Sequence, residues 1–283
     1  MIRKTVLVFM IFLVTGMMAQ AQDGAQQFEG FNLVGYTEGG TKSWDVTGDT
    51  AEILGSLVQL TNIVANAYGE ESMNLTARTG NIDRETGKMH LEQDVVITSQ
   101  EGAQLRTDSL DWDREKDLVT TEDFVTITDK RLEATGTGIK AHPNLKLAQL
   151  NEDVTVKIKT ELDRLDPQEP APAAESKQTI TITSDGPLEI DQNKQTAIFN
   201  DNVVAVQQDR VLNADRMEVY FDADERKIRE IICTGNVKVT QGDNTSFSEK
   251  AVFKPQDQRI ILTGRPKLIL NTEGENGIAS FGN

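Results

Sequence analysis

Leu212-Asn213-Ala214-Asp215-Arg216-Met217-Glu218-Val219 is a phrase that this chain writes three times. An earlier copy reads Leu105-Arg106-Thr107-Asp108-Ser109-Leu110-Asp111-Trp112, and a later one Ser246-Phe247-Ser248-Glu249-Lys250-Ala251-Val252-Phe253. Each copy gives an alternating strand residue, a small residue, an acid, and two apolar residues spaced by two. Repeated supersecondary units imply an elongated, stacked β architecture. Such a shape suits binding along a surface better than chemistry in a pocket.

The same grammar extends outward from the phrase. Val95 and Ile97 recur as Val125 and Ile127, then as Val154 and Val156, at spacings of 30 and 29 residues. That period suits a rung of short strands and turns. Asn81 to Met89 reads as a strand end, a polar turn with Gly87, and a returning strand. Leu57 to Ala65 fits either a strand or a short helix, because periodicity over so few residues does not separate them. Asp166 to Ala174 is rich in Pro and Ala and reads as a semi-stiff linker. Beyond it, Asn202-Val203-Val204-Ala205-Val206 and Gly235-Asn236-Val237-Lys238-Val239 restart the strand pattern. The chain therefore divides into two β units, 28–160 and 179–272, joined by a linker over 161–178. The glycine-rich segment 273–283 reads as a flexible tail.

Composition narrows the function. Of the 283 residues, 37% are hydrophobic and 5% aromatic, so the core must come from Val, Ile and Leu, which favour pleated sheet. A net charge of −16 argues against nucleic acid, which needs a basic footprint, and against adhesion to anionic membrane surfaces. Cys233 is the single cysteine, so an internal disulfide and a multi-cysteine metal site are excluded. Within Ile231-Ile232-Cys233 it reads as a small buried hydrophobe. Arg3 and Lys4, an apolar run from Val6 to Val14, and Ala19-Gln20-Ala21 make residues 1–21 a cleavable signal peptide. An uncleaved anchor reaching Met18 is the alternative, although the run is shorter than the roughly 20 residues a span needs. Either way the chain is exported, and a periplasmic location is expected.

The motifs Ala214-Asp215-Arg216-Met217, Thr234-Gly235-Asn236-Val237-Lys238-Val239, Lys250-Ala251-Val252-Phe253 and Leu262-Thr263-Gly264 resemble the OstA-like family. That family is typified by the A component of the Lpt system of lipopolysaccharide transport. Residues 28–160 resemble the related C component of this LptA–LptC family through Ser43-Trp44-Asp45-Val46, Gly80-Asn81-Ile82, Asp94-Val95, Thr107-Asp108-Ser109-Leu110 and Gly136-Thr137-Gly138. One departure is the cleavable look of the N-terminus, since the C component keeps its membrane anchor. The resemblance implies an all-β chain of two stacked or linked, V-shaped, open β-jellyrolls, with lipid acyl chains held between the walls. It also implies bridging between inner and outer membranes by edge-to-edge stacking with other jellyrolls. An inner-membrane ABC transporter and an outer-membrane translocon are the further partners it suggests.

Residue chemistry fits a groove wall, which needs one apolar and one wet strand face. The candidate groove residues are Val95, Ile97, Val125, Ile127, Val154, Val156, Val203, Ala205, Val237, Val239 and Leu268. Two readings stay open for them: they seal against one another as ordinary core, or they admit a guest hydrocarbon. Ala205, Ala214 and Ser248 leave room for a ligand or mark tight packing. Lys238, Arg265 and Lys267 read as solvated charges that also stand where phosphates would pass. Unpaired strands near 30–46 and 260–270 are expected to be docking edges, with Pro266 blunting one of them.

No catalytic residue, metal site or cofactor is expected. His90 reads as surface and His142, before Pro143, as a turn residue; neither has a metal or nucleophile constellation. Asp111-Trp112-Asp113 and Asp222-Ala223-Asp224 read as solvated turns and lack the glycine and closing glutamate of a calcium loop. Two rivals remain. One is an exported β-solenoid scaffold without a lipid; the other is a carbohydrate-cleaving solenoid, disfavoured by only 2 Trp and 3 Tyr.

Overall fold

The computed structural model describes residues 26–69, 72–113, 115–130, 132–142, 146–160, 178–222, 228–257 and 259–270. The signal peptide, the tail from 273 and all of the 161–178 linker but Gln178, which opens a strand, lie outside the described residues. Every long segment inside them is a strand. The first unit holds β1 (Gln26–Tyr36), β2 (Lys42–Leu54), β3 (Leu57–Ala67), β4 (Met73–Asp83) and β5 (Lys88–Ser99). It continues through β6 (Gln104–Asp113), β7 (Leu118–Thr128), β8 (Leu132–Ala141) and β9 (Leu147–Thr160). The second holds β10 (Gln178–Ser184), β11 (Leu188–Asp191), β12 (Thr196–Gln207) and β13 (Arg210–Phe221). It ends with β14 (Ile228–Gln241), β15 (Asn244–Lys254), β16 (Arg259–Thr263) and β17 (Lys267–Ile269). Leu57 to Ala67 is thus strand: Leu60 and Ile63 are buried there while Gln59 and Val64 face out.

All pairing is antiparallel, and the strands follow one another as a meander. β10 and β11 act as one interrupted strand, since both pair with β9 on one side and with β12 on the other. β16 and β17 repeat the device against β15. The two units are therefore a single sheet, joined where Val156 opposes Ile182 and Leu150 opposes Leu188.

A crease runs across this sheet at the middle of every long strand. Gln93 and Asp94 of β5, Asp153 of β9, Asp201 and Asn202 of β12, and Asn236 of β14 all have positive φ. In β5 and β12 two such residues stand opposite a single residue of the next strand, because Glu92 pairs Ser109 and Val95 pairs Thr107. Likewise Asn200 pairs Arg216 and Val203 pairs Ala214. Two residues against one is a β-bulge, which bends a strand sharply. Bulges aligned strand after strand fold the whole sheet lengthwise.

The acid of the repeated phrase sits on the outside of that fold. Asp215 accepts hydrogen bonds from Nδ2 of Asn236 at 2.9 and 3.2 Å, holding the corner of β14. Gly235 beside it has φ of +76°, and a Cβ there would lie 2.2 Å from Asp215 Oδ2. Only glycine supplies that turn without displacing the acid. The same role falls to the Arg78–Asp94 pair at 2.6 Å and to Asn202 Nδ2 donating to Asp185 at 2.7 Å. Asn and Asp tolerate the left-handed region better than other residues with a Cβ, which explains their place at each corner.

Inward residues on both flanks of the crease form one continuous cluster. Leu91, Leu110, Leu150, Phe199 and Met217 come from one flank; Val95, Val125, Val154, Val203 and Val237 come from the other. All ten are buried to within 2% of full occlusion. The sheet is thus folded into two walls that meet at the crease.

Asp45 anchors the first end of the sheet. Its carboxylate accepts from Asn66 Nδ2 and from Tyr68 Oη, each at 2.8 Å, and pairs with the Lys42 ammonium. Asn74 extends the ladder by donating to Asn66 at 2.8 Å. The hydrogen bond from Asn66, then Lys42, then Tyr68, hold the Asp45 carboxyl down at about 2 against an ordinary 3.8. A depressed carboxyl contributes stability that is complete above its unfolded value and lost as pH falls through the folded one. Asp45→Asn is therefore expected to flatten the fall in urea midpoint between pH 4 and 2. An acid limb of unchanged steepness in the variant would dismiss this account.

Candidate functional site

Every candidate groove residue lies on one wall. Ile97, Ile127, Val156, Ala205 and Val239 fall in a single cross-strand row, linked by the pairs Ile97–Leu105–Ile127, Ala134–Val156–Ile182 and Ala205–Leu212–Val239. The row begins at Leu33 on β1 and closes at Leu268 on β17, the final step being Ser246–Leu268. It crosses from the first unit to the second without a gap, through Ile182–Ala205. Val95, Val125, Val154, Val203 and Val237 form the next row, nearer the crease. There they face small partners: Thr107, Gly136, Ser184, Ala214 and Ser248. A large residue opposite a small one lets the sheet bend tightly, so these small positions belong to the crease.

Leu268 differs from the rest. It is 62% exposed, on β17, the last strand among the described residues.

The opposite wall was missing from the sequence reading. Its rim row runs Ile53–Val58–Ile82–Met89–Trp112–Val119–Ala141 and continues from Ala148 to Ile190, Ala197, Val219, Ile231, Phe253 and Ile260. No polar residue interrupts it. Part of the signal was in the repeated phrase, whose last two apolar residues are Leu110 and Trp112, Met217 and Val219, or Ala251 and Phe253. These are this wall.

Burial grades from crease to rim. Beside the crease, Val125 and Val203 are fully occluded. One inward position further out, Ile127, Ala205 and Val239 are only partly buried, as are Trp112, Ala148, Ile190 and Ile231 across the way. Other residues of the same rows, Leu105, Val156, Ile182 and Val219, are as sealed as the crease, so the walls touch at the fold and part only over stretches of the rim. With adjacent strands about 4.8 Å apart, fifteen strand passes (seventeen segments, two pairs of them sharing a pass) give a trough about 65 Å long.

Among the described residues, the two ends of the trough are open sheet edges. β1 pairs only with β2 and shows Phe28, Leu33, Val34 and Tyr36 to solvent. β16 and β17 pair only with β15 and show Ile260, Ile261, Leu268 and Ile269. The edge is thus β1 alone, for residues 42–46 lie in β2 and are paired on both sides. Pro266 stands in the break between β16 and β17, at the crease, instead of within an edge strand.

Other titratable groups have structural work. His90 lies on the outer face between Asp111 at 2.6 Å and Glu92 at 3.0 Å, and those hydrogen bonds raise its pKa above the ordinary 6.5. Asp111 to Asp113 end strand β6 and are not a turn. Trp112 between them points to the inner side, whereas Asp113 binds Lys116 across the following turn. Burial pushes the Cys233 thiol up to about 12, so it stays protonated and inert. Among the described residues no group of three or more His, Cys, Asp or Glu is placed to hold a metal. A cleft of about 320 Å³ opens on the outer side where β8, β9, β11 and β12 meet. Outward residues such as Lys140, Gln149, Glu189 and Ile198 line it together with Ala141, Ala148 and Ile190 of the rim row, so it borders the rim of the trough.

Two family models match, in succession. The lipopolysaccharide-assembly, LptC-related family matches residues 20–159, and the LptA/(LptD N-terminal domain) LPS transport protein family matches residues 181–280. No curated protein matches the chain.

Proposed function

For a chain that carries an LptC-related unit followed by an LptA/LptD N-terminal unit of lipopolysaccharide transport, we propose that the folded sheet is a conduit holding acyl chains between its walls. The observation that carries this reading is a pair of apolar inner walls, sealed at the crease and partly exposed at several rim positions in each unit. A closed sandwich would be occluded at both margins of each wall. Here several rim positions of each unit stay partly accessible, among them Trp112, Ile127, Ile190, Ala205, Ile231 and Val239, whereas Val156 and Ile182 at the seam are sealed.

The energetics are favourable without any special hydrogen bond. Each buried methylene contributes about 0.8 kcal/mol, so a dozen on one chain give on the order of 10 kcal/mol before ordering costs. Sugars and phosphates would remain in water, since the net charge of −16 repels an anionic headgroup from the outer faces. Because the inner rows cross the seam unbroken, a chain can slide from the first unit to the second without leaving an apolar surface. The open edges at β1 and at β16 and β17 supply unpaired backbone groups for strand addition by further jellyrolls, which would extend the trough and bridge the membranes. An envelope, periplasmic location follows from the same families. No step of bond making or breaking is assigned to the chain.

Photo-crosslinkers at Ile127 and at Val239 test this, one in each unit. Both should capture lipopolysaccharide, while a crosslinker at the outward Lys238 should not. Equal capture from Lys238 and Val239 would remove the groove from consideration. Concentration-dependent filaments with no lipid adduct from either inward site would favour the scaffold.

A further inference from the structure

Among the described residues, three buried side-chain polar atoms make no hydrogen bond within the chain: Thr107 Oγ1, Trp112 Nε1 and Ser248 Oγ. All three sit at inward positions of the repeated phrase, and so on the inner surface of the trough. Thr107 and Ser248 occupy its third position beside the crease; Trp112 occupies its eighth, in the rim row between Met89 and Val119. A buried donor left unpaired is destabilising, and buried tryptophan N–H groups ordinarily have a partner. The two hydroxyls can rotate toward neighbouring carbonyl groups. The indole N–H cannot, because the ring fixes its direction.

From this we propose that Trp112 is a polar subsite in the mouth of the first unit, donating its Nε1–H to the ester or amide carbonyl where an acyl chain joins its headgroup. The inference rests on the conduit reading above and names the part of the lipid that the first unit recognises. Placement supports it. The rim row is where a chain lying between the walls emerges toward water, and that is where its carbonyl must be. The next inward residue toward the crease, Leu110, is sealed, so Trp112 stands at the deepest level that a carbonyl entering from the rim would reach. The phrase places no equivalent donor in the second unit: the eighth position of the other two copies is Val219 and Phe253. Lipid would therefore be registered by its carbonyl in the first unit and held by hydrocarbon contact only in the second. That arrangement favours onward movement.

The test compares two competitors for lipopolysaccharide bound to the full chain: phosphatidylglycerol with two ester-linked 14-carbon chains, and its ether-linked twin without the carbonyls. Wild type should release bound lipopolysaccharide at about fivefold lower concentration of the ester lipid, the effect of one neutral hydrogen bond. Trp112→Phe should abolish that difference while the chain stays folded, since it removes an unpaired group and retains an aromatic side chain. Thr107→Val, which alters the crease hydroxyl, should leave the ester preference intact. An ester preference that survives in Trp112→Phe overturns the assignment, as does a wild type that treats both lipids alike. A chain that binds neither lipopolysaccharide nor competitor defeats the conduit itself, an outcome distinct from loss of the preference.

Discussion

Replacing Val239 by glutamate should yield a folded chain that has lost at least nine-tenths of the lipid it carries. Val239 is partly buried in the rim row of one wall, opposite Leu212 and Ser246, so a longer side chain can swing toward the mouth without opening the core. A carboxylate facing hydrocarbon is unfavourable by several kcal/mol, and every 1.4 kcal/mol is tenfold in affinity. The matched control is Lys238→Glu, one residue away. In a strand that single step reverses the face, so the new charge stands in water and lipid loading should be unaltered. Lipid co-purified with each protein, measured per mole of chain, reads the outcome directly. Equal loading of the two variants would mean that the inner face of β14 does not touch the guest.

That pair of neighbours also shows how far the sequence could be read. Alternation at Val237 and Val239 is enough to assign a strand and its two faces, and the recurrence of such pairs makes a stacked β architecture inescapable. The crease was beyond that reading. Along β12 the inward parity runs Val203, Asp201, Phe199, and along β5 it runs Val95, Gln93, Leu91. A polar residue at an inward position ends a strand in any pattern built on alternation. It here marks the corner, where positive φ turns the side chain away from the interior. In the strands bearing the phrase, the period slips instead. Ala214 and Met217 both face inward although they are three positions apart, and Asp215 stands at the slip.

The missing wall follows from the same cause. Leu150, Phe199 and Cys233 lie before their corners, in segments that the interrupted pattern detaches from the valines after them. Nothing in one chain's sequence states which half-strands face each other. That requires the register, in which Glu92 meets Ser109 while Val95 meets Thr107. His90 is comparable: its carboxylate neighbours Asp111 and Glu92 come together only when β5 and β6 pair.

Placing aspartate at Ile182 should split unfolding into two transitions and lower the stability of the whole by about 3 to 5 kcal/mol. Ile182 is 2% exposed and sits at the seam, between Val156 of the first unit and Ala205 of the second. Among the described residues, strands β10 and β11 alone pair with both β9 and β12, so the two units share one ladder of hydrogen bonds there. Because inner residues on both sides belong to one cluster, wild type should melt as a single cooperative unit, seen by calorimetry and by circular dichroism at the same midpoint. An unpaired carboxylate at the seam is expelled toward water, and with it goes the contact that couples the units. Each retains a substantial core of its own, with Leu91, Leu110 and Val125 in one and Phe199, Met217 and Val237 in the other. The conduit reading adds a functional consequence. Lipid should still crosslink at Ile127, and capture at Val239 should fall when lipid is supplied only from the side of β1. A variant that melts in one transition, with full transfer to Val239, would show that the units communicate by some route other than their shared sheet.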